Sequence, residues 1–328
     1  MPTPDPFAND PARSGYSMAL HAPLLVACLD TATPQSLFEV GAFNGDLTCL
    51  LAEWAQAHGA TVGAIDPMPM PGLLALAREH AAVELVREKS ADALQDLSAD
   101  AFIIDGDHNY WTVREELRLI AERAVADRRP MPLVLLHDVG WPCARRDDYC
   151  DIAQIPSDYR QEPLVGRLGI VPGDPGVCRD GLPYTRSAAH EGGERNGVLT
   201  AVEQFVVVHP RLRLAVVPGF CGFGVIWASD AGYANALAAL LAPYDGHPLL
   251  AALEENRLYH FAQAYMRQME IRRLKVRLAR QESTLRGLLD SADGEIPREA
   301  LRRALADPES GTHDPLGAAL RPLARADR

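Results

Sequence analysis

Ser36-Leu37-Phe38-Glu39-Val40-Gly41-Ala42-Phe43-Asn44-Gly45-Asp46 is the stretch that decides the fold. Its first half is a short apolar run of strand length and its middle is a turn containing two glycines. From Asp46 the apolar residues Leu47, Leu50, Leu51 and Trp54 recur at helical spacing as far as His58. A strand that bends sharply into a helix is the opening unit of a parallel α/β sheet. The same alternation continues downstream. Strands are expected at 36–41, 61–66, 83–86, 101–105 and 133–138, each apolar enough to be covered by helices on both faces. Tyr110 to Val125 repeats Val113, Leu117, Ile120 and Ala124 on one helical face, and a further helix is expected over 196–208. Two later runs, 213–217 and 222–227, joined through Pro218-Gly219, read as an antiparallel pair closing the sheet. The expectation is a doubly wound α/β domain.

Composition bounds what such a domain does. The chain has 328 residues, 48% apolar and 23% charged, with a formal charge of -12, which excludes disorder across its whole length. That acidic balance argues against a nucleic-acid partner, because binding phosphates needs a concentrated surplus of Lys and Arg. Apolar stretches such as 234–241 fall far short of the roughly 20 residues that span a bilayer, so no membrane association is expected. Met1 to Asp10 is rich in Pro and Asp and lacks the basic head and apolar run of a secretory signal, which points to the cytoplasm. Six cysteines without a CxxC pair suggest neither a zinc cluster nor a disulfide framework.

Four parts are expected: an N-terminal segment 1–20, the doubly wound domain 21–245, a long helix 246–290, and a tail 291–328 with a short helix near 298–306. Within the domain, 140–197 is rich in Pro, Gly, Arg and Asp and reads as an insertion after the fifth strand that covers a ligand as a lid, with His190 and Arg195 placed to close it. Trp141 to Tyr149 starts at the site mouth. Arg145 and Arg146 there either contact a ligand or pair with Asp147 and Asp148 at the surface. In the long helix Ile271, Leu274, Leu278, Leu285 and Leu288 fall on a heptad seam interrupted by Gln281, which suggests a homo-oligomer through this helix.

Three strand ends carry the chemistry. At the first, Phe43 stands where a dinucleotide fingerprint needs a glycine, and Glu39 would repel a phosphate, so the ligand should lack one. A nicotinamide oxidoreductase is disfavoured on the same ground. The fourth strand ends in Asp105-Gly106-Asp107-His108 and the fifth in His137-Asp138. In open α/β sheets this edge forms the ligand crevice, so these five polar side chains should converge on one site.

The turn Glu39-Val40-Gly41-Ala42-Phe43-Asn44-Gly45, together with Asp66 and the I-D-G-D-H and L-H-D strand ends, resembles the class I S-adenosylmethionine-dependent methyltransferases. That resemblance implies a Rossmann-like sheet of order 3-2-1-4-5-7-6 and S-adenosylmethionine as cofactor. Glu39 and Gly41 would lie near its methionine portion, Phe43, Asn44 and Gly45 in the loop around it, Asp66 on the ribose hydroxyls, and Ser90 and Ala91 at the adenine, with Asp105 bordering the same site. A more distant resemblance to the metal-dependent catechol and caffeoyl-CoA O-methyltransferases matches Asp105, His137 and Asp138 to positions that hold Mg²⁺ or another divalent cation. His137 is a softer ligand than the carboxylate it replaces, which leaves metal dependence open. His108 then stands where those enzymes have a basic lysine. It is expected to act as general base with Asp107 raising its pKa, and His137 is the rival base. The implied acceptor is a small-molecule hydroxyl on a sugar or natural-product scaffold. Methylation at nitrogen or carbon, or a non-catalytic cofactor-binding assembly protein working through its C-terminal helix, are the alternatives.

Overall fold

The computed structural model describes residues 18–80, 82–164, 168–179, 181–184 and 186–290. The expected N-terminal segment up to residue 17, the tail from residue 291, and the side chains of Leu285 and Leu288 lie outside the described residues. Seven strands form the main sheet: β1 Ser36–Val40, β2 Thr61–Ile65, β3 Val83–Val86, β4 Ala101–Ile104, β5 Leu133–His137, β6 Leu212–Val217 and β7 Phe223–Ala228. The helices are α1 Ala22–Ala32, α2 Asp46–His58, α3 Pro71–Glu79, the single turn α4 Ser90–Ala93, α5 Tyr110–Ala126, α6 Val198–Val208, α7 Ala234–Leu241 and α8 Pro248–Asp290. The strand order is β3-β2-β1-β4-β5-β7-β6, with β1 to β5 parallel and β7 antiparallel to both of its neighbours, the Rossmann-like arrangement of the expected doubly wound domain.

Alternation along the strands builds two cores, one on each face. Leu37, Ile103 and Leu135 pack with Leu25 and Leu29 of α1, Leu51 and Trp54 of α2, and Leu237 of α7. Phe38, Phe102 and Leu136, one residue out of step, pack with Val113, Leu117 and Ile120 of α5 and Val202 of α6. Fully burying one such side chain contributes about 1.5–3 kcal/mol, so these two layers fix the register of the strand ends. Ile104 lies opposite Leu136, which brings the next residues, Asp105 and His137, side by side on the face of Ile103 and Leu135.

Proline-rich sequence around 67–71 masks α3, which sequence periodicity does not predict. Pro71 occupies the start of that helix, where its missing N–H costs nothing because the first turn has no intrahelical acceptor for it. The chain divides into two compact units, 1–262 and 263–328, and the division falls within α8. In the first unit Leu258 and Ala262 of α8 are buried; in the second, Ile271, Leu274 and Leu278 are exposed. Among the described residues no helix is long and apolar enough to cross a membrane.

The 140–197 insertion is knotted around buried polar groups. Surface pairing of Arg145 and Arg146 with Asp147 and Asp148 does not occur. Arg145 instead pairs with Glu203, and Arg146 is buried and donates to the carbonyl oxygens of Ala188, Pro175 and Gly176. Asp147, also buried, accepts from the backbone N–H of Tyr110 and Gly197, both at 2.7 Å, and from the Tyr149 hydroxyl at 2.9 Å. Its own N–H donates to Asn196 Oδ1 at 2.7 Å. These bonds satisfy backbone groups that a buried loop would otherwise leave unpaired.

Candidate active site

A cleft of about 1940 Å³ opens at the carboxyl ends of the parallel strands, where the connections reverse direction between β1 and β4, the position at which such sheets bind ligands. It exceeds the roughly 300–1,000 Å³ of a single-ligand pocket, leaving room for two reactants. Glu39, Gly41, Phe43 and Asn44 line it from the β1 turn, Asp66 from the end of β2, Ser90 and Ala91 from α4, and Asp105, Asp107 and His108 from the end of β4. Gly45 does not line it. It caps α2 with φ +88°, a conformation that glycine adopts without strain.

The β1 turn is close-packed against β4. Gly41 has φ +86°, and a Cβ there would stand 2.3 Å from the Asp105 carbonyl oxygen, so only glycine fits. Phe43 takes a left-handed φ of +44° with its ring 65% exposed, and its N–H donates to Asp66 Oδ2 at 2.7 Å. Met68 N–H donates to Asp66 Oδ1 at 2.8 Å. Asp66 is thereby fixed with its remaining lone pairs available to hydroxyl donors. Beneath the turn, Glu39 is buried and accepts from the Thr48 hydroxyl at 2.5 Å. Burial pushes its pKa up to about 8, against the lowering effect of that hydrogen bond.

The five acids and imidazoles expected to share one site divide into a front and a back. Asp105, Asp107 and His108 line the cleft, whereas His137 and Asp138 are buried behind it. His108 Nδ1 lies 3.1 Å from Asp138 Oδ2, and His137 Nδ1 lies 3.1 Å from both Asp138 Oδ2 and Asp105 Oδ1. His137 Nε2 faces the Phe220 carbonyl oxygen at 2.9 Å. Both ring nitrogens of His137 thus face oxygen acceptors. Burial opposes a positive charge on the ring, but Asp138 and Asp105 outweigh it and hold its pKa well above the usual histidine range. His108 is also raised: burial again works against charge, and Asp138 and then Asp105 overcome it. Burial would raise Asp138, yet His108 and His137 keep its pKa below the ordinary carboxylate value. His21, buried beside His137 at 5.8 Å between ring centres, is driven down to about 4 by burial and by that neighbouring charge.

Asp107 adds to the charges that raise His108, after Asp138 and Asp105, but its own hydrogen bonds go elsewhere. Its carboxylate accepts from Cys150 N–H at 2.9 Å and from the Thr112 hydroxyl at 3.2 Å, tying the insertion to α5; the acid in contact with His108 is Asp138. His190 and Arg195 do not line the cleft, and Arg195 stacks on Tyr159 at 4.7 Å. The insertion's contribution to the cleft is Cys150, Asp151, Gln154 and Ile155, with Trp111 and Glu116 from α5. Of these, Glu116 had a legible signal: an acid between Val113, Leu117 and Ile120 on the apolar stripe of α5 is misplaced for solvent.

Asp105, His137 and Asp138 each offer a ligand atom within 4.8 Å of the others, a spacing that a divalent ion accepts. The cleft also fits S-adenosylmethionine on chemical grounds: an ionisable acid, Asp66, held for hydroxyls, several acids for a cationic ligand, and no cluster of basic groups for a phosphate on the lining strand ends.

The sheet order, the glycine turn after β1 and the acid closing β2 give this cleft the doubly wound, Rossmann-like setting expected from the sequence. Residues 38–139, which run from β1 to just past β5 and carry Glu39, Asp66, Asp105 and His108, match the family model described as a methyltransferase domain. No curated protein matches the chain. Solved structures similar to it include the S-adenosylhomocysteine-bound methyltransferase PaMTH1 of Podospora anserina, at 16% identity over 68% of this chain and 83% of that one with a TM-score of 0.42. Others are the Burkholderia thailandensis 1,6-didemethyltoxoflavin-N1-methyltransferase, at 14% identity over 65% and 82% with a TM-score of 0.36, and human N-acetylserotonin methyltransferase, at 12% over 66% and 54% with a TM-score of 0.36.

Proposed function

We propose that the protein methylates a hydroxyl group of a small molecule, a sugar or a natural-product scaffold, with His108 as the general base. When bound, S-adenosylmethionine supplies an electrophilic methyl group on a sulfonium. The protein's task is to align an acceptor oxygen with it and to remove the hydroxyl proton. Glu39, Asp66, Ser90 and Ala91 hold the donor. Trp111, Cys150, Asp151, Gln154 and Ile155 face the remaining volume as acceptor contacts, and the insertion roofs that half of the cleft. The observation that carries the reading is the pairing of His108 Nδ1 with buried Asp138 at 3.1 Å beside the cleft. It fixes the ring and leaves Nε2 to take the acceptor's proton, with Asp138 stabilising the charge that results. The acceptor oxygen gains the methyl group, the proton passes to His108, and S-adenosylhomocysteine remains.

A divalent cation at Asp105, His137 and Asp138 is the second reading, favoured by the convergence of those three ligand atoms and by the Phe220 carbonyl at the far nitrogen of His137, the usual support of a ligating imidazole. Such an ion would lower the pKa of an acceptor hydroxyl. The exposed seam Ile271, Leu274 and Leu278 is assigned to self-association of the chain.

The test is a methyl-transfer screen against hydroxylated sugars and phenols, alongside amines, with and without EDTA. Transfer to hydroxyls is expected, and His108→Ala should lower turnover by roughly 10²–10⁴ while S-adenosylhomocysteine binds unchanged. Transfer to amines alone overturns the hydroxyl assignment, full turnover in His108→Ala removes the base, and loss of activity in EDTA restored by a divalent salt selects the metal reading.

A further inference from the structure

Glu116 has no place in the chemistry described so far. It sits on α5 among Val113, Leu117 and Ile120, is 1% exposed and borders the cleft, and beyond a weak contact with the Ser90 hydroxyl its carboxyl oxygens have no hydrogen-bond partner. Its polar surroundings are the Ser90 hydroxyl at the start of α4 and, farther off, Asp107 and His108. An unsatisfied carboxyl in this position costs stability unless a ligand completes its bonding.

We propose that Glu116 binds the amino edge of the adenine ring of S-adenosylmethionine. This rests on the methyltransferase assignment and extends it to a residue on α5. The parts of the donor are distinguishable by charge. Its sulfonium and ammonium groups are cations, suited to the acids lining the cleft from β1 and β4. Its ribose presents hydroxyl donors, suited to Asp66, whose carboxylate is already held by two backbone N–H groups. The adenine ring is neutral, with a donor (the N6 amino group) next to an acceptor (N1). A neutral carboxyl is the side chain that matches this pair, accepting from the amino group through its carbonyl and donating its hydroxyl to N1.

Position agrees with charge. The methyl group must face His108 at the end of β4, Asp66 ends β2, and Ser90 follows β3 at the outer side of the sheet. A donor running outward from His108 over Asp66 therefore brings its base to Ser90 and Glu116. Burial, against a smaller lowering effect of Ser90, pushes the Glu116 pKa up to about 8, so the carboxyl carries its proton at neutral pH.

Calorimetry on the whole chain tests this with two ligands, S-adenosylhomocysteine and the analogue whose base is 1-deazapurine. The analogue has neither the amino group nor N1, so its edge offers Glu116 nothing to pair with. Wild type should prefer S-adenosylhomocysteine. Glu116→Ala should weaken S-adenosylhomocysteine by roughly ten- to a hundredfold, leave the 1-deazapurine analogue within about threefold, and so collapse the discrimination. Glu116→Gln, whose amide keeps one acceptor and one donor, should restore S-adenosylhomocysteine binding to within a few-fold and shows that the site folds. Unchanged discrimination in Glu116→Ala, or an equal loss for both ligands, overturns the role of Glu116. Failure of the wild type to bind either ligand overturns the cofactor reading instead.

Discussion

Glu39 and Glu116 are carboxyl groups taken almost wholly out of water, and burial raises the pKa of each to about 8. An acid whose folded pKa exceeds its unfolded value near 4.5 binds more protons in the folded state. Its contribution to stability is complete below about pH 4.5 and is lost as pH rises through 8. The ligand-free protein should therefore lose stability between pH 5 and pH 9, with each group accounting for up to about 5 kcal/mol. Thermal unfolding across that range checks it: Glu39→Gln and Glu116→Gln should each flatten the slope, and a variant with the wild-type slope excludes its residue as the source. These two residues also mark how far single positions are legible in sequence. Glu39 stands in a strand-end motif, so its meaning is local. Glu116 acquires meaning only when Ser90, from another part of the chain, is brought beside it. Asp107 shows the same limit: it does raise His108, but only behind Asp138 and Asp105, which are farther away in sequence.

At the scale of elements, alternation and helical spacing make all seven main-sheet strands and the α2 and α5 helices readable, because their faces are set by burial. The polar network of the insertion is not readable, because its hydrogen bonds join residues such as Arg146 and Pro175 by backbone carbonyls that leave no side-chain pattern. The contact of the β1 turn with β4 predicts that Gly41→Ala is costly. The added Cβ meets the Asp105 carbonyl oxygen in a left-handed backbone, so a loss of about 1–3 kcal/mol is expected in denaturant unfolding together with weaker S-adenosylhomocysteine binding. In the insertion, Asp147→Ala removes acceptors for the Tyr110 and Gly197 N–H groups and the Tyr149 hydroxyl. Limited proteolysis should then cut within 140–197 at least tenfold faster, in line with the loss of about 2 kcal/mol or more of local stability. An unchanged cutting rate would show that Asp147 does not hold the insertion.

For the whole molecule, the second unit carries the proposal of self-association. On the heptad frame, Ile271 and Leu278 take one core position and Leu274 and Gln281 the other, so a parallel pair would set Glu270 against the partner subunit's Lys275 and Arg277 against the partner subunit's Glu282. Leu274→Glu together with Leu278→Glu should reduce the mass measured by light scattering while leaving S-adenosylhomocysteine affinity as it was; an unchanged mass removes the seam from assembly. One feature of the first unit reaches further. Asp147 fastens the insertion at the amides that begin α5 and α6 and does not itself line the cleft, whereas residues 150–155 face it. Anchorage and cleft lining are thereby borne by different side chains. On the proposed methyl transfer, segment 150–155 can change toward new acceptors without unravelling the insertion, which makes it the natural place to redesign acceptor choice.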